Sequence, residues 1–161
     1  MKAKFQSLLS ALEVWLNDEN IRRIKEGELT LKQIEIKLMG QFALLIALPN
    51  LDLNATADFD AVIRGDNTVV QFLKERLLEH NLILDSDAEL IQMPKGTPWN
   101  LFHKGNFLTV LVAAPEYVAA SKCQFKRTKD KLQLQKLLRK FPKWKETIHS
   151  LSISTEWLDE N

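Results

Sequence analysis

The chain has 161 residues, 45% of them hydrophobic, with 22 Lys plus Arg against 21 Asp plus Glu. That balance excludes a uniformly basic nucleic-acid binder and an acidic disordered tail, and the apolar fraction excludes a mainly disordered chain. The length suits one domain over residues 1–161, no run of about 18 apolar residues offers a membrane span, and a lone Cys123 excludes an internal disulfide or a CxxC metal knuckle.

Phe5, Leu8, Leu9, Leu12, Trp15 and Leu16 recur at helical spacing, which predicts an amphipathic helix over 3–18. Gln6, Ser7 and Glu13 interrupt the apolar run and no small-residue cleavage site follows, so the segment is read as a core helix and the protein as cytoplasmic. Asn17–Asn20 reads as a break, with a second, shorter helix from Asn20. Alternation of Ile34, Ile36 and Leu38 with Glu35 and Lys37 predicts a strand over 33–39. Gly40 ends it, and Gln41–Leu48 reads as a short helix stopped by Pro49.

Asp58–Arg64 reads as a strand closed by Gly65-Asp66, and residues 67–80 as a helix with Asn67 or Asp66 as its N-cap. Short strands follow near Leu82–Leu84 and Glu89–Met93. Pro94, Gly96 and Pro98 mark a loop. Phe107–Ala113 reads as a buried strand. Pro115 opens a helix that extends to about Lys140 with an interruption near Thr128, and a last helix starts near Lys143 after Pro142. The order predicts an α/β or α+β fold: N-terminal helices over 1–32, a mixed-sheet core over 33–113 and C-terminal helices over 114–161.

Asp58-Phe59-Asp60 is the most informative triplet. Residues i and i+2 of a strand share a face, so both carboxylates stand together while Phe59 turns inward. Paired ionised carboxylates repel unless a cation or a donor sits between them, and Mg²⁺ takes carboxylate and phosphate oxygens together. A solvated strand end bearing two acids fits the same triplet.

The strand ending at Met39-Gly40, the short helix after it, and Asp58-Phe59-Asp60 on the next strand together resemble the nucleotidyltransferase superfamily of the DNA-polymerase-beta-like type. The stretch Ala55-Thr56-Ala57-Asp58-Phe59-Asp60 is similar to the R-A-T-x-D-h-D form of a bacterial branch related to abortive-infection and toxin–antitoxin nucleotidyltransferases. Pro115, Glu116, Lys122, Arg127, Lys129 and Asp130 fall on that branch's helical segment, so the resemblance covers roughly residues 33–138. It implies a nucleotidyltransferase-like sheet, a nucleoside triphosphate bound with Mg²⁺, and transfer of a nucleotidyl group to a protein or RNA hydroxyl. It implies metal binding and catalysis by Asp58 and Asp60. It implies nucleotide contacts from Gly40, Gln41, Thr56, Lys122, Lys129 and Asp130.

The chain departs from the branch at three positions. Gln41 follows Gly40 where Gly or Ser is usual, Asn54 stands in the place of an Arg, and Gln133 in the place of a second Asp. No acid occurs in Phe107–Ala113, so Glu89, with Asp87 beside it, is the candidate third metal ligand. These departures leave open a catalytically degenerate member that acts as an interaction module in a toxin–antitoxin-like pair.

Residues 122–145 hold ten Lys or Arg and one acid, Asp130, a surplus of nine that the rest of the chain offsets. With Phe125, Phe141 and Trp144 interleaved, this stretch fits nucleic-acid contact, or internal pairing against the acidic remainder, which the leucines among these residues favour. His80, His103 and His149 lack metal-ligand spacing, and Cys123 reads as a buried thiol.

Overall fold

The computed structural model describes residues 1–85, 88 and 93–161, and among them an α+β fold of six α-helices and a four-stranded mixed sheet. The strands are β1 (Ile34–Leu38), β2 (Asp58–Phe59), β3 (Ala61–Gly65), β4 (Ile83–Leu84), β5 (Trp99–Lys104) and β6 (Leu108–Ala113). The helices are α1 (Lys2–Glu26), α2 (Gly40–Ala47), α3 (Asn67–Glu79), α4 (Pro115–Phe125), α5 (Thr128–Lys140) and α6 (Lys143–Ser150). The large sheet runs β3-β1-β6-β5, with β1 parallel to β6 and both outer pairs antiparallel. β2 and β4 form a separate parallel pair.

The alternation in β1 sets one face of the sheet inward. Ile34, Ile36 and Leu38 are buried with Leu108, Val110 and Val112 of β6, while the residues between them are half-buried. The buried face packs against Phe5, Leu9, Leu12 and Leu16 of α1 and Val69, Leu73 and Leu77 of α3. A second apolar cluster joins Ala119, Ala120 and Cys123 of α4 to Leu134 of α5 and Ile148 of α6. Small residues on α4 let these helices approach closely, and burial pushes the Cys123 thiol up to about 11. No helix among the described residues is long and apolar enough to cross a membrane.

Three elements differ from the sequence expectation. α1 runs without a break to Glu26. Asn20 does not interrupt it, because its side chain reaches outward, donating to Leu31 O at 3.0 Å and accepting from Leu31 N at 2.6 Å. The stop is Gly27, at φ +68°, where the Gly27 and Glu28 N–H groups turn back onto the Ile24 and Arg23 carbonyls.

β5 follows the loop marked by Pro94, Gly96 and Pro98, in a stretch to which the sequence reading gave no element. It is an edge strand with a register shift between Leu101 and His103, so no clean alternation marks it. Glu13 of α1 caps its hairpin with β6, accepting from Phe107 N at 3.0 Å and Leu108 N at 2.8 Å and meeting His103 Nε2 at 3.1 Å.

The strand expected over 58–64 divides at Asp60. Residues 89–92 of the expected strand Glu89–Met93, and Glu89 itself, lie outside the described residues.

α2, α3, β6 and α6 form where the sequence places them. Asp66 caps α3 by accepting from Thr68 N at 2.9 Å. Lys126, at φ +51°, separates α4 from α5.

Candidate functional site

The two central parallel strands end side by side, and each feeds a helix, β1 into α2 at Gly40 and β6 into α4 at Pro115. Crevices beyond the carboxyl ends of such strands are where α/β folds place ligands. Here the antiparallel neighbour adds an acid. Leu38 opposes Ala61, and Met39 N–H donates to Asp60 O at 2.9 Å, so Asp60 lies against the Gly40 turn. Gly40 has φ +65°, and a Cβ there would lie 2.2 Å from Asp60 Oδ2. Glycine is required twice over, by the backbone conformation and by the carboxylate against it.

The division of the strand at Asp60 positions the remaining acids. β3 continues in the large sheet, while β2 swings away to pair with β4. Phe59, fully buried, anchors this fork against Phe5 (ring centroids 5.6 Å apart) and Phe42 (4.9 Å). Asp58 is exposed, and its N–H is held by Thr56 Oγ1 at 3.1 Å.

In the parallel register Asp58 opposes Ile83 and Phe59 opposes Leu84, and Asp85 N–H donates to Phe59 O at 3.1 Å. Asp85 thus follows β4 as Asp60 follows β2, and their carboxyl groups hydrogen-bond. Burial pushes the Asp60 carboxyl up to about 6. The bond to Asp85 and the charges of Asp85 and Asp58 add to the shift, and Lys122 opposes it.

α4 forms the opposite wall. Val118, Ser121, Lys122 and Phe125 follow the i, i+3, i+4, i+7 spacing and share its cleft face. Ala119, Ala120 and Cys123 pack toward α5 and α6, and this turns Lys122 into the cleft. Lys122 is 5% exposed and donates to Asp130 Oδ1 at 2.9 Å. Arg127 Nε donates to the other oxygen, Oδ2, at 2.8 Å. Desolvation pulls the Lys122 pKa down, and Asp130 resists the shift.

The three positions that depart from the family pattern meet at one point. Gln41 Nε2 donates to Gln133 Oε1, and Gln133 Nε2 donates back to Gln41 Oε1, each at 2.9 Å. Gln41 Nε2 also donates to Asn54 O at 2.7 Å, and Asn54 N–H donates to Gln133 Oε1 at 2.7 Å. The amide pair ties the start of α2 and the middle of α5 to the loop that leads into Thr56 and Asp58.

Gly40, Gln41, Thr56, Asp58, Asp60, Lys122, Lys129 and Asp130 all line one cleft of about 560 Å³, as do Asp85 and Phe125. A second cavity of similar volume, between α4 and residues 93–95 and 151–154, gathers no acid among the described residues. Sequence reasoning missed Asp85, and its own candidate Glu89, with Asp87, lies outside the described residues. The readable signal was an acid immediately after the short apolar strand Leu82–Leu84, in the position Asp60 holds after Phe59. Internal pairing of the basic stretch is limited: among the described residues its ion pairs all run to Asp130, and Lys126, Lys129, Lys136, Arg139, Lys140, Lys143 and Lys145 are exposed.

Among the described residues, no three His, Cys, Asp or Glu side chains form a ready metal cage. Mg²⁺ does not demand one, since it commonly takes one or two carboxylates and completes its shell with water and substrate phosphates. The oxygen-only donors Asp58, Asp60 and Asp85 fit that ion's chemistry. Comparison of the chain with family models, with curated proteins and with solved structures found no match.

Proposed function

We propose that the cleft binds a nucleoside triphosphate with Mg²⁺ and transfers a nucleotidyl group to a hydroxyl of a protein or RNA acceptor, as a member of the polymerase-beta-like nucleotidyltransferases. The observation that carries this reading is the opposition of charges across one crevice. Asp58, Asp60 and Asp85 stand on the strand side, and Lys122 and Lys129 on the helical side, with Gly40 between. Asp58 and Asp60 would hold the metal, with Asp85 beside them in the cleft. The ion supplies neutralisation of phosphate charge and orientation of the reacting oxygens.

Lys122 and Lys129 meet phosphate oxygens, and Asp130 holds Lys122 in position. In the transfer, the acceptor oxygen bonds to the α-phosphorus and the bond from that phosphorus to its bridging oxygen breaks. Pyrophosphate leaves, and the hydroxyl proton passes to a cleft carboxylate.

One observation favours a second reading, a degenerate member that binds without transferring. The Gln41 amide beside the Gly40 turn is committed to Gln133 and Asn54. Two measurements separate the readings. Calorimetry with ATP, GTP, CTP and UTP, each with Mg²⁺, tests binding by wild type and Asp58→Ala. Incubation with α-labelled triphosphates in lysate tests transfer. Binding lost in Asp58→Ala together with labelled acceptor supports the enzyme. Binding without label supports the degenerate reading. No binding by the wild type overturns both.

A further inference from the structure

The cleft face of α4 grades from floor to mouth: Val118 is 1% exposed, Ser121 4%, Lys122 5% and Phe125 50%. Three of these have evident tasks, since Val118 packs in the core, Ser121 lies buried beneath the cleft and Lys122 pairs with Asp130. Phe125 has no such task. It belongs to neither apolar cluster, and no aromatic pair among the described residues includes it. Among the described residues it is the only large apolar side chain exposed on this wall, where the other apolar members are the buried Val118 and the small Gly40 and Ala55. Its place is fixed by the last turn of α4 before Lys126 takes up φ +51°. The ring therefore stands about one helical turn, or about 5 Å, beyond Lys122 along the helix, on the solvent side of the charged floor.

We propose that Phe125 is a base-stacking platform: the planar heteroaromatic ring of the nucleotide lies on the Phe125 ring at the cleft mouth while its phosphates meet Lys122 and the acids below. The proposal rests on the nucleotide reading above and narrows it from a polyphosphate to a nucleotide. Every nucleobase has a π face, so the platform recognises a base without choosing among the four, and it removes about half-exposed apolar surface from water. Arg127 and Lys129, next along the chain and also on the cleft wall, add positive charge beside the stacked ring.

The test is calorimetry at constant Mg²⁺ with ATP, CTP and tripolyphosphate, which carries the charge without a base. The proteins are wild type, Phe125→Ala and Phe125→Trp. Phe125→Ala should weaken ATP and CTP about tenfold and leave tripolyphosphate unchanged, and Phe125→Trp should hold both nucleotides at least as well as wild type. The exposed position should leave the melting temperature of both variants within a degree of wild type, so lost binding is not lost folding. Tripolyphosphate binding as tightly as ATP to wild type, or equal losses for both in Phe125→Ala, overturns the platform and leaves the phosphate and metal reading intact. Wild type binding neither ligand overturns the nucleotide reading, and the platform with it.

Discussion

Gln41 and Gln133, 92 residues apart, exchange two hydrogen bonds of 2.9 Å between their side-chain amides. Gln133 is buried, and its Oε1 also accepts from Asn54 N–H. Gln133→Ala therefore leaves Gln41 Oε1 and the Asn54 N–H without their partner, and should cost about 1–3 kcal/mol. A double-mutant cycle with Gln41→Ala in urea should return a coupling of about 1 kcal/mol. Additive losses would mean that the two amides do not act as a pair.

Asp60 sets the pH dependence. Its folded pKa is raised to about 6 from 3.8. The folded state therefore holds this proton through a range in which the unfolded chain has released it, so stability falls as pH rises from about 4 to about 6 and then levels. Asp60→Asn removes the ionisation. It should match wild type near pH 4 and exceed it by about 1 kcal/mol above pH 6, a value reduced for water screening of the half-buried group, or about 2–4 °C in Tm. A Tm difference that does not grow with pH would contradict this assignment.

The same proton links to cation binding. If the cleft takes Mg²⁺ through Asp58 and Asp60, as proposed, the ion displaces the proton that Asp60 holds. Affinity should fall as pH drops below about 6, and calorimetry in buffers of different ionisation enthalpy should register proton release at pH 6. Affinity flat between pH 5 and 8 would place the ion away from Asp60.

Gly40→Ala tests the turn. The substitution forces an L-residue to φ +65° at a cost of about 1–2 kcal/mol and drives its Cβ against Asp60 Oδ2. Urea unfolding should register that loss, and Mg²⁺ or nucleotide binding should fall further than stability alone explains. Normal binding by Gly40→Ala would show that the approach of Asp60 to this backbone is not needed.

Lys122 and Asp130 should respond unequally. Asp130→Ala leaves the buried Lys122 ammonium without its main partner and should cost about 3 kcal/mol. Lys122→Met leaves Asp130 with Arg127 and should cost under about 1.5 kcal/mol. Both should lose nucleotide binding. Equal stability losses in urea would mean that Arg127 does not compensate Asp130 for the loss of Lys122.

The sequence by itself determined most of the local elements and named most of the residues that line the candidate cleft. Period-two alternation marked β1, an acid spacing of two placed Asp58 and Asp60 about Phe59, and Pro115 opened α4, because strand pleat, helix pitch and proline geometry are properties of neighbouring residues. The near-neutral total was legible too, and so was the basic stretch it conceals. Only the tertiary structure decided which distant residues meet.

It divided one expected strand at Asp60 because β1 and β4 compete for its two halves, and that fork brought Asp85 into the cleft. It turned Lys122 inward by packing the small residues of α4 on α5 and α6. It showed Gln41, Asn54 and Gln133, three separate departures from a family pattern, to be members of one hydrogen-bonded contact. Register, crossover and helix rotation depend on partners far along the chain, and no local pattern encodes them.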